Sequence, residues 1–400
     1  MTGIVDSDRH VIEPISIWEE YVDAAIYREY PIELIMDTPD KRSQRVRELG
    51  EWGDIALPPT ITIGGMSILK DWNLKNQIAS AHDNHDSFEL RSLAMQGESQ
   101  LKSMDDTGFR VATLYPTFAG FIVNHDKVPA NVSLAYADAY NRWLNDYIQA
   151  DTGRLIGIGL ISRHEPTAMI AQLEQVLSFG WKIVTLRPEV INGRHLGHED
   201  YLPFWQACEA NGVAVSIHGS SNLNGSTVGS DRFSSRFAQH ACSHPMEIQM
   251  AFLALLESGV LEQFPKLRFG FLEAGASWIP HWLWRLDNIC YPEFSELTKD
   301  RITQLPSEYF KRQCWVSVEI GEPCLGEVIK WIGNDKIIFG TDFPHPDHLH
   351  LTTDNFSEAF HELDETTVQN MLSLNARSFY GLDTELGEIP KDMARVEVNA

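Results

Sequence analysis

The chain has 400 residues, of which 32 are lysine or arginine and 56 are aspartate or glutamate, so its net charge at pH 7 is −24. Because nucleic acids and anionic membrane surfaces are bound mainly through clustered basic side chains, this acidic balance disfavours both as partners. Hydrophobic residues make up 43% of the chain and charged residues 22%, which is typical of an ordered globular protein with a large core.

The N-terminal sequence MTGIVDSDRHVIEP lacks the basic and apolar regions of a secretory signal, and no apolar run approaches the roughly 18 residues needed to cross a bilayer. The five cysteines are an odd number and include no CxxC pair, so we expect neither a disulfide framework nor a zinc knuckle. The sequence therefore predicts a soluble cytoplasmic protein. It does not define the oligomeric state, and a homodimer is one compatible assembly.

Eight short apolar runs predict strands that are buried on both faces, because they are rich in β-branched residues and do not alternate strictly. In chain order they span residues 3–8, 110–115, 155–160, 182–186, 214–218, 268–273, 314–318 and 337–340. Segments with helical spacing, such as 166–178 and 244–257, separate most neighbouring runs and are long enough for crossover helices. Eight strand–helix units predict an α/β fold of the (β/α)8 TIM barrel type. A doubly wound open sheet is less favoured, since no glycine-rich turn follows the first strand.

Roughly a hundred residues separate the first predicted strand from the second, far more than a βαβ unit needs. We therefore predict an insertion at about 14–105, with a short β-like run between Pro58-Pro59 and Gly64-Gly65 and a polar helical stretch at 86–107. An extension is expected at about 380–400. No repeat or linker divides the chain, so residues 1–400 are expected to form a single domain, with the insertion over the barrel mouth.

Polar side chains stand where several predicted strands end, which is where the catalytic groups of a parallel barrel project. In chain order they are Asp8, His10 and the nearby Glu13, then Arg187, His218, Glu273, Asp342 and His345. Asp8 and His10 are two residues apart on one strand, so their side chains share a face. Carboxylate and imidazole groups that converge in this way are typical ligands of Zn, Mn or Fe.

Each of these residues also has a plainer interpretation. His218 alone could be a hydrogen-bonded histidine at a strand end, and Asp342 could cap a helix. Glu273 lies in an apolar strand, where a carboxylate is costly unless it is functional or paired, and Arg187 is a candidate ion-pair partner. The convergence of such groups at four strand ends favours a metal site over these separate interpretations.

The segments DSDRHVIEP, LYPTF, SIHG, FLEAGASWIP and IIFGTDFPHPD resemble the amidohydrolase-2, or aminocarboxymuconate-semialdehyde-decarboxylase-like, family of the amidohydrolase superfamily. The resemblance implies a metal-dependent (β/α)8 barrel with four ligands, namely Asp8, His10, His218 and Asp342. Many relatives have HxH or ExH where this chain has Asp8-Arg9-His10. Relatives that decarboxylate tend to have a histidine at the position of Glu273, and this difference disfavours decarboxylation.

The leading hypothesis from the sequence is a metal-dependent hydrolase of a carboxylic derivative, meaning a lactone, ester, thioester or amide. One or two ions per chain would activate a water, Asp342 or Glu273 would accept its proton, and Arg187 would hold a substrate carboxylate. The alternative is a metal-dependent, non-oxidative decarboxylase of an aromatic or dienoic acid. An alternative of another class is a catalytically inactive barrel that only binds a ligand.

Further residues are candidates for a second ion and for substrate binding. Glu13, Glu273 and His345 would supply or support the ligands of a second ion. The segment 219–239 is rich in Gly, Ser and Asn, and it can form a mobile lid that carries Arg232 or Arg236 over the mouth. His281 either contacts the substrate or packs its helix against the barrel.

Overall fold

A computed structural model describes residues 3–68, 73–83, 90–219, 227–345 and 356–382 of the chain. The strands within these ranges are β1 (Val5–His10), β2 (Ile32–Ile35), β3 (Thr60–Ile63), β4 (Met66–Ser67), β5 (Val111–Tyr115), β6 (Leu155–Gly157), β7 (Gly159–Leu160), β8 (Ile183–Leu186), β9 (Ala214–His218), β10 (Phe269–Leu272), β11 (Cys314–Val318) and β12 (Ile337–Phe339). Seven of the eight predicted apolar runs contain one of these strands or, at residues 155–160, two, and the run at 3–8 overlaps β1, which extends to His10.

The parallel strands follow one another in chain order around a barrel. β1, β5 and β6 pair in that order, and β7 to β12 pair in sequence, all in parallel. Ile158 alone separates β6 from β7, so these two segments form the third strand of the barrel. The ring closes between β12 and β1, where Asp342 N donates to Asp8 O at 2.7 Å and His10 N donates to Phe343 O at 2.7 Å. The predicted (β/α)8 barrel is confirmed.

Glycine permits this closure. A Cβ atom on Gly340 would lie 2.2 Å from the Cβ of Asp8, so a larger residue would force β12 away from β1. The close approach brings the residues that follow β12 beside the end of β1.

Helices connect the strands and cover the outside of the barrel. Within the described residues the α-helices are Ser16–Tyr21, Ala24–Glu29, Pro39–Leu49, Leu74–Asp83, Gly97–Thr107, Phe118–Val123, Ala130–Tyr147, Met169–Ser178, Leu202–Ala210, Arg236–Glu257, Val260–Gln263, Ile279–Arg285, Tyr291–Thr298, Pro306–Gln313, Leu325–Ile332, Phe356–Ala359, Glu365–Gln369 and Asn375–Tyr380. None of them is long and apolar enough to span a membrane. In helix Met169–Ser178, the buried residues Met169, Leu173 and Val176 recur at helical spacing and face the barrel.

The barrel has an interior core that is separate from the layer between strands and helices. Its members come from successive strands or from Ile158 between two of them, and include Val5, Val111, Ile158, Ile183, Ala214, Leu272, Trp315 and Ile338. Phe379 and Tyr380 of the last helix pack against this cluster. The predicted C-terminal extension therefore begins with a helix of the barrel, and its residues 383–400 lie outside the described ranges.

The insertion after β1 has its own small sheet. β2, β3 and β4 pair antiparallel, with Ile32 opposite Ile63 and Thr62 opposite Ser67. The turn between β3 and β4 is Gly64-Gly65, where both residues have positive φ angles. The β-like run predicted between Pro58-Pro59 and Gly64-Gly65 is thus β3 of this sheet. Of the helical stretch predicted at 86–107, residues 86–89 lie outside the described ranges and Gly97–Thr107 is helical.

Candidate active site

Two histidines and two aspartates meet at the C-terminal end of the barrel, and all four are buried. The Nε2 atom of His10 lies 3.1 Å from His218 Nε2 and 3.1 Å from Asp342 Oδ1. Asp8 Oδ1 lies 3.1 Å from His218 Nε2. Asp8, His10 and His218 each place one donor atom within 4.8 Å of the others, and so do His10, Asp342 and His345. The structure thus brings together the four residues that the resemblance implies as ligands.

The outer nitrogens of the two histidines define which ring atom faces the centre. His10 Nδ1 donates to the carbonyl of Pro116 at 3.0 Å, and His218 Nδ1 donates to the carbonyl of Gly219 at 2.9 Å. Because a carbonyl only accepts, each Nδ1 carries a hydrogen, and in the neutral rings each Nε2 turns a lone pair toward the other. Lone pairs 3.1 Å apart repel unless a cation or proton lies between them, and such backbone anchoring is typical of metal-binding histidines.

The carboxylates make this centre attractive to positive charge. Burial lowers the pKa of His10, but its contacts with Asp342 and Asp8 outweigh burial and raise that pKa to about 10. Burial raises the pKa of Asp342, yet His345 and His10 hold it well below its usual range. Asp342 Oδ2 is also buried without a hydrogen-bond partner among the described residues. Nitrogen and oxygen donors of this kind fit a divalent cation.

Two of the acidic residues have a strained backbone. Glu273 has a φ angle of 58° and Asp342 one of 54°, both in the left-handed region that non-glycine residues avoid. Such a conformation costs about 1–3 kcal/mol and is found mostly where function requires it. Each residue follows the last strand residue closely, Leu272 in one case and Phe339 in the other, so the strain occurs where the chain leaves the barrel.

Glu273 lies behind His218 rather than among the four converging donors. Its Oε2 atom is 3.2 Å from His218 Nδ1, and its Oε1 atom is 3.5 Å from His244 Nε2. Burial raises the pKa of Glu273 well above its usual value, and the negative charges of Asp342 and Asp8 raise it further. Arg187, the ion-pair partner considered from the sequence, lines the same cavity but donates a hydrogen bond to the Gly219 carbonyl.

The candidate residues for a second ion have different positions. His345 Nδ1 lies 2.8 Å from Asp342 Oδ1, and its Nε2 is 3.2 Å from the Thr117 hydroxyl, so His345 borders the metal-binding donors. The carboxylate of Glu13 accepts hydrogen bonds from the backbone N–H groups of Thr117, Phe118 and Ala119 at 2.9–3.1 Å. The structure therefore gives Glu13 the role of anchoring the loop after β5, because its oxygens are occupied there.

Three residues were candidates for substrate binding beside Arg187, and the structure brings only Arg236 to the cavity. Arg236 begins helix Arg236–Glu257 and donates to Ser80 of the insertion. Arg232 lies in the turn before this helix, where its side chain is 77% exposed and points to Asp231 at 3.9 Å. His281 is exposed on a helix whose Ile279 and Leu283 face the core. Arg232 and His281 therefore do not line the site. Residues 220–226 of the predicted lid lie outside the described ranges.

Two histidines of the site were not predicted from the sequence. His240 and His244 lie one helical turn apart on helix Arg236–Glu257, with their ring centroids 4.5 Å apart, and both line the cavity. Burial and the neighbouring His240 lower the pKa of His244 to about 3, so its imidazole is neutral. The i, i+4 spacing in HACSH was the available signal, but it lies on a helix and not at a strand end.

Known proteins resemble this chain over most of its length. A sequence model of the family described as amidohydrolase matches residues 80–382. The chain belongs to the amidohydrolase family. A relative, 2-amino-3-carboxymuconate-6-semialdehyde decarboxylase of Dictyostelium discoideum, is 26% identical over 283 residues, which are 70% of this chain and 74% of that protein.

Solved structures of the family share the fold. An amidohydrolase from Mycobacterium avium subsp. paratuberculosis K-10 has a TM-score of 0.73 at 20% identity, over 95% of this chain and 99% of its own. A variant of 5-carboxyvanillate decarboxylase from Novosphingobium aromaticivorans DSM 12444, with bound manganese and 3-methoxy-4-hydroxy-5-nitrobenzoic acid, has a TM-score of 0.65 at 17% identity, over 95% and 98% of the two chains. These comparisons confirm an enzyme of the amidohydrolase superfamily, and the donors described above fit a divalent metal cofactor.

Proposed function

We propose that this chain is a metal-dependent, non-oxidative decarboxylase of an aromatic or dienoic carboxylic acid. The observation that carries the proposal is the convergence of His10, His218 and Asp342 in one cavity with Arg187, with Asp8 Oδ1 at 3.1 Å from His218 Nε2. The sequence alone ranked hydrolysis first. The relatives whose names state a reaction are decarboxylases, and this supports the alternative.

Different residues of the cavity can bind different parts of the substrate. When bound, a divalent ion would act as a Lewis acid toward oxygen atoms of the substrate. Arg187 can pair with a substrate carboxylate through its planar guanidinium group, which suits two parallel hydrogen bonds. Its central carbon lies 5.7 Å from the centre of the Phe121 ring. Phe121 also lines the cavity, so it can pack against the flat face of an aromatic ring or diene.

Decarboxylation also requires a proton donor, because loss of carbon dioxide leaves an electron pair on carbon. Glu273 lines the cavity, and its Oε2 atom is buried without a hydrogen-bond partner among the described residues. His244 Nε2 lies 3.5 Å from the other oxygen of this carboxyl group. We assign the proton transfer to Glu273, which takes the position where decarboxylating relatives tend to have a histidine.

Product analysis tests this proposal. Metal-stripped protein and protein reloaded with Mn²⁺ would be given aromatic acids, dienoic acids, lactones, esters and thioesters. We expect release of carbon dioxide from an aromatic or dienoic acid, and only with the metal. Cleavage of a lactone, ester or thioester without carbon dioxide would contradict decarboxylation and support hydrolysis. Purified protein that binds no metal and turns over nothing would support the ligand-binding barrel.

A further inference from the structure

The cavity above the strand ends is larger than the metal-binding residues require. Its volume is about 990 Å³, and it extends from His10 and His218 to Leu57 and Ala79 of the insertion. Drug-sized ligands occupy cavities of roughly 300–1,000 Å³, so this cavity is at the upper end of that range. An acid with one ring or a short diene would fill only the part beside the metal-binding residues.

The cavity walls change in character with distance from the strand ends. The strand ends contribute imidazole, carboxylate and guanidinium groups. The insertion and the start of helix Arg236–Glu257 contribute apolar side chains beside polar ones such as Asp83 and Arg91. We call the apolar set the apolar wall: Leu34, Leu57, Pro58, Ile61, Ala79 and Phe237. One cavity thus joins a polar end to an apolar end.

Polar groups near the apolar wall are engaged with one another. The Arg236 side chain donates to the Ser80 hydroxyl, and its backbone N–H donates to Asn76 Oδ1 at 3.3 Å. Ser80 and Asn76 belong to helix Leu74–Asp83 of the insertion. These bonds join the insertion to the barrel helix, so the apolar wall is built from two elements that are held together.

Three side chains of the apolar wall, those of Leu34, Pro58 and Phe237, are open to solvent. Leu34 is 39% exposed and Phe237 is 85% exposed. Exposed apolar surface at the mouth of a ligand cavity is unfavourable in water and marks a place that a bound apolar group can cover. Because this surface is continuous with the cavity that holds the metal-binding donors, the substrate itself is the fitting occupant.

We infer that the natural substrate joins its carboxylate end to an apolar substituent, an alkyl chain or a second ring, that lies against the apolar wall. The inference rests on the proposed function, which places the carboxylate end of the substrate at the strand ends. Leu34 and Phe237 then determine specificity through contact with the substituent and have no part in the chemical step.

Binding of matched probes tests the inference. The affinities of benzoate and of its para-butyl, para-hexyl and para-octyl derivatives for the manganese-loaded protein would be measured by calorimetry. We expect the dissociation constant to fall about fourfold for each methylene group that the apolar wall buries. A dissociation constant that does not change with chain length would overturn the inference.

Two pairs of variants locate the binding surface. Leu34→Ser and Phe237→Ser remove side chains of the apolar wall, whereas Ile35→Ser and Phe233→Ser remove neighbours that are also exposed but do not line the cavity. We expect Leu34→Ser and Phe237→Ser to weaken binding of the octyl probe about tenfold and to leave benzoate unchanged. The control variants should bind both probes like the parent protein. Equal losses in all four variants would refute the assignment.

The readouts separate this inference from the proposed reaction, since calorimetry reports binding and carbon dioxide reports turnover. Binding that strengthens with chain length, without carbon dioxide from any acid, would support the apolar wall and refute decarboxylation. Release of carbon dioxide together with a dissociation constant that does not change with the chain length of the probe would support decarboxylation. It would refute the role of the apolar wall in substrate binding.

Discussion

Strand β1 contributes to two buried polar clusters that differ in how their atoms are satisfied. In the first, which we call the closure cluster, the Asp6 carboxylate accepts hydrogen bonds from Arg9 at 3.1 Å, from Thr341 N at 2.9 Å and from the Thr341 hydroxyl at 2.6 Å. In the second, the metal cluster, Asp8 and His10 face His218 and Asp342 with lone pairs opposed.

The two clusters show that the hydrogen-bond partners of a buried polar group indicate whether it has a structural or a functional role. The carboxylate of the closure cluster has donors for both oxygens, and Arg9 also lies 4.1 Å from the centre of the Phe343 ring, so the cluster needs no outside partner. The metal cluster has acceptors facing acceptors, which is unfavourable in a protein interior unless a cation or a proton joins them. We therefore expect the closure cluster to stabilise the fold and the metal cluster to serve catalysis.

The largest effect is expected at the metal cluster. His218→Ala removes one of about four protein ligands, so bound metal should fall to near zero and turnover should be lost. The same variant should remain folded without metal. It removes the Nε2 lone pair that faces His10 Nε2, and with it the repulsion between these two atoms. Elemental analysis, circular dichroism and product assays check these outcomes. Full activity and full metal content in His218→Ala would contradict the site.

The opposite result is expected at the closure cluster. Asp6→Asn removes the negative charge beside buried Arg9, and an uncompensated buried charge typically costs about 3–5 kcal/mol of unfolding free energy. Denaturant unfolding measures the loss, and metal content below the unfolding transition should stay at the parent value. Asp105→Asn is the matched control, because Asp105 pairs with Arg154 in an exposed position and should cost about 1 kcal/mol or less.

Glu273→Gln tests the proton donor beside the metal cluster. The change keeps the shape of the side chain and removes the acidic proton of its carboxyl group, so we expect turnover to fall about a hundredfold with metal retained. Glu319→Gln is the control, since Glu319 also follows a barrel strand, β11, but does not line the cavity. Loss of metal from Glu273→Gln would indicate that Glu273 is a metal ligand. Near-normal turnover with metal retained would indicate that Glu273 has only a structural role.

The pH dependence of metal binding gives the smallest of these effects. The contacts of His10 with Asp342 and Asp8 raise its pKa to about 10, so His10 holds a proton at neutral pH that the cation must displace. Metal affinity should therefore increase with pH, by about tenfold for each unit below that pKa. Titration with Mn²⁺ at several pH values measures this slope. A flat profile would show that the cation does not compete with the His10 proton.

Most of the fold and the centre of the site were predictable from sequence because their signals are local. The barrel strands are buried on both faces, so each appears as a short apolar run. Asp8, His10, His218 and Asp342 stand at or just beyond the ends of such runs, and the barrel topology brings those ends together.

The roles of the remaining residues were not predictable, because they depend on contacts between residues that are distant in sequence. Nothing near Glu13 indicates that its carboxylate accepts backbone N–H groups of the loop that begins at Thr117. Arg232 and Arg236 are four residues apart, but only the second has entered the helix that turns it toward the cavity. His244 lies on the same helix, and helical spacing alone does not show which face of a helix meets the barrel mouth.

One titration tests the central claim, that the opposed donors of the metal cluster form the cation site of a decarboxylase. Metal-stripped protein would be titrated with Mn²⁺ in the presence of an acid that the parent protein decarboxylates, while carbon dioxide is measured. We predict no carbon dioxide before metal is added, and a rise that ends at about one equivalent per chain if the four donors hold one ion. Carbon dioxide release by the metal-stripped protein at the full rate would contradict the account.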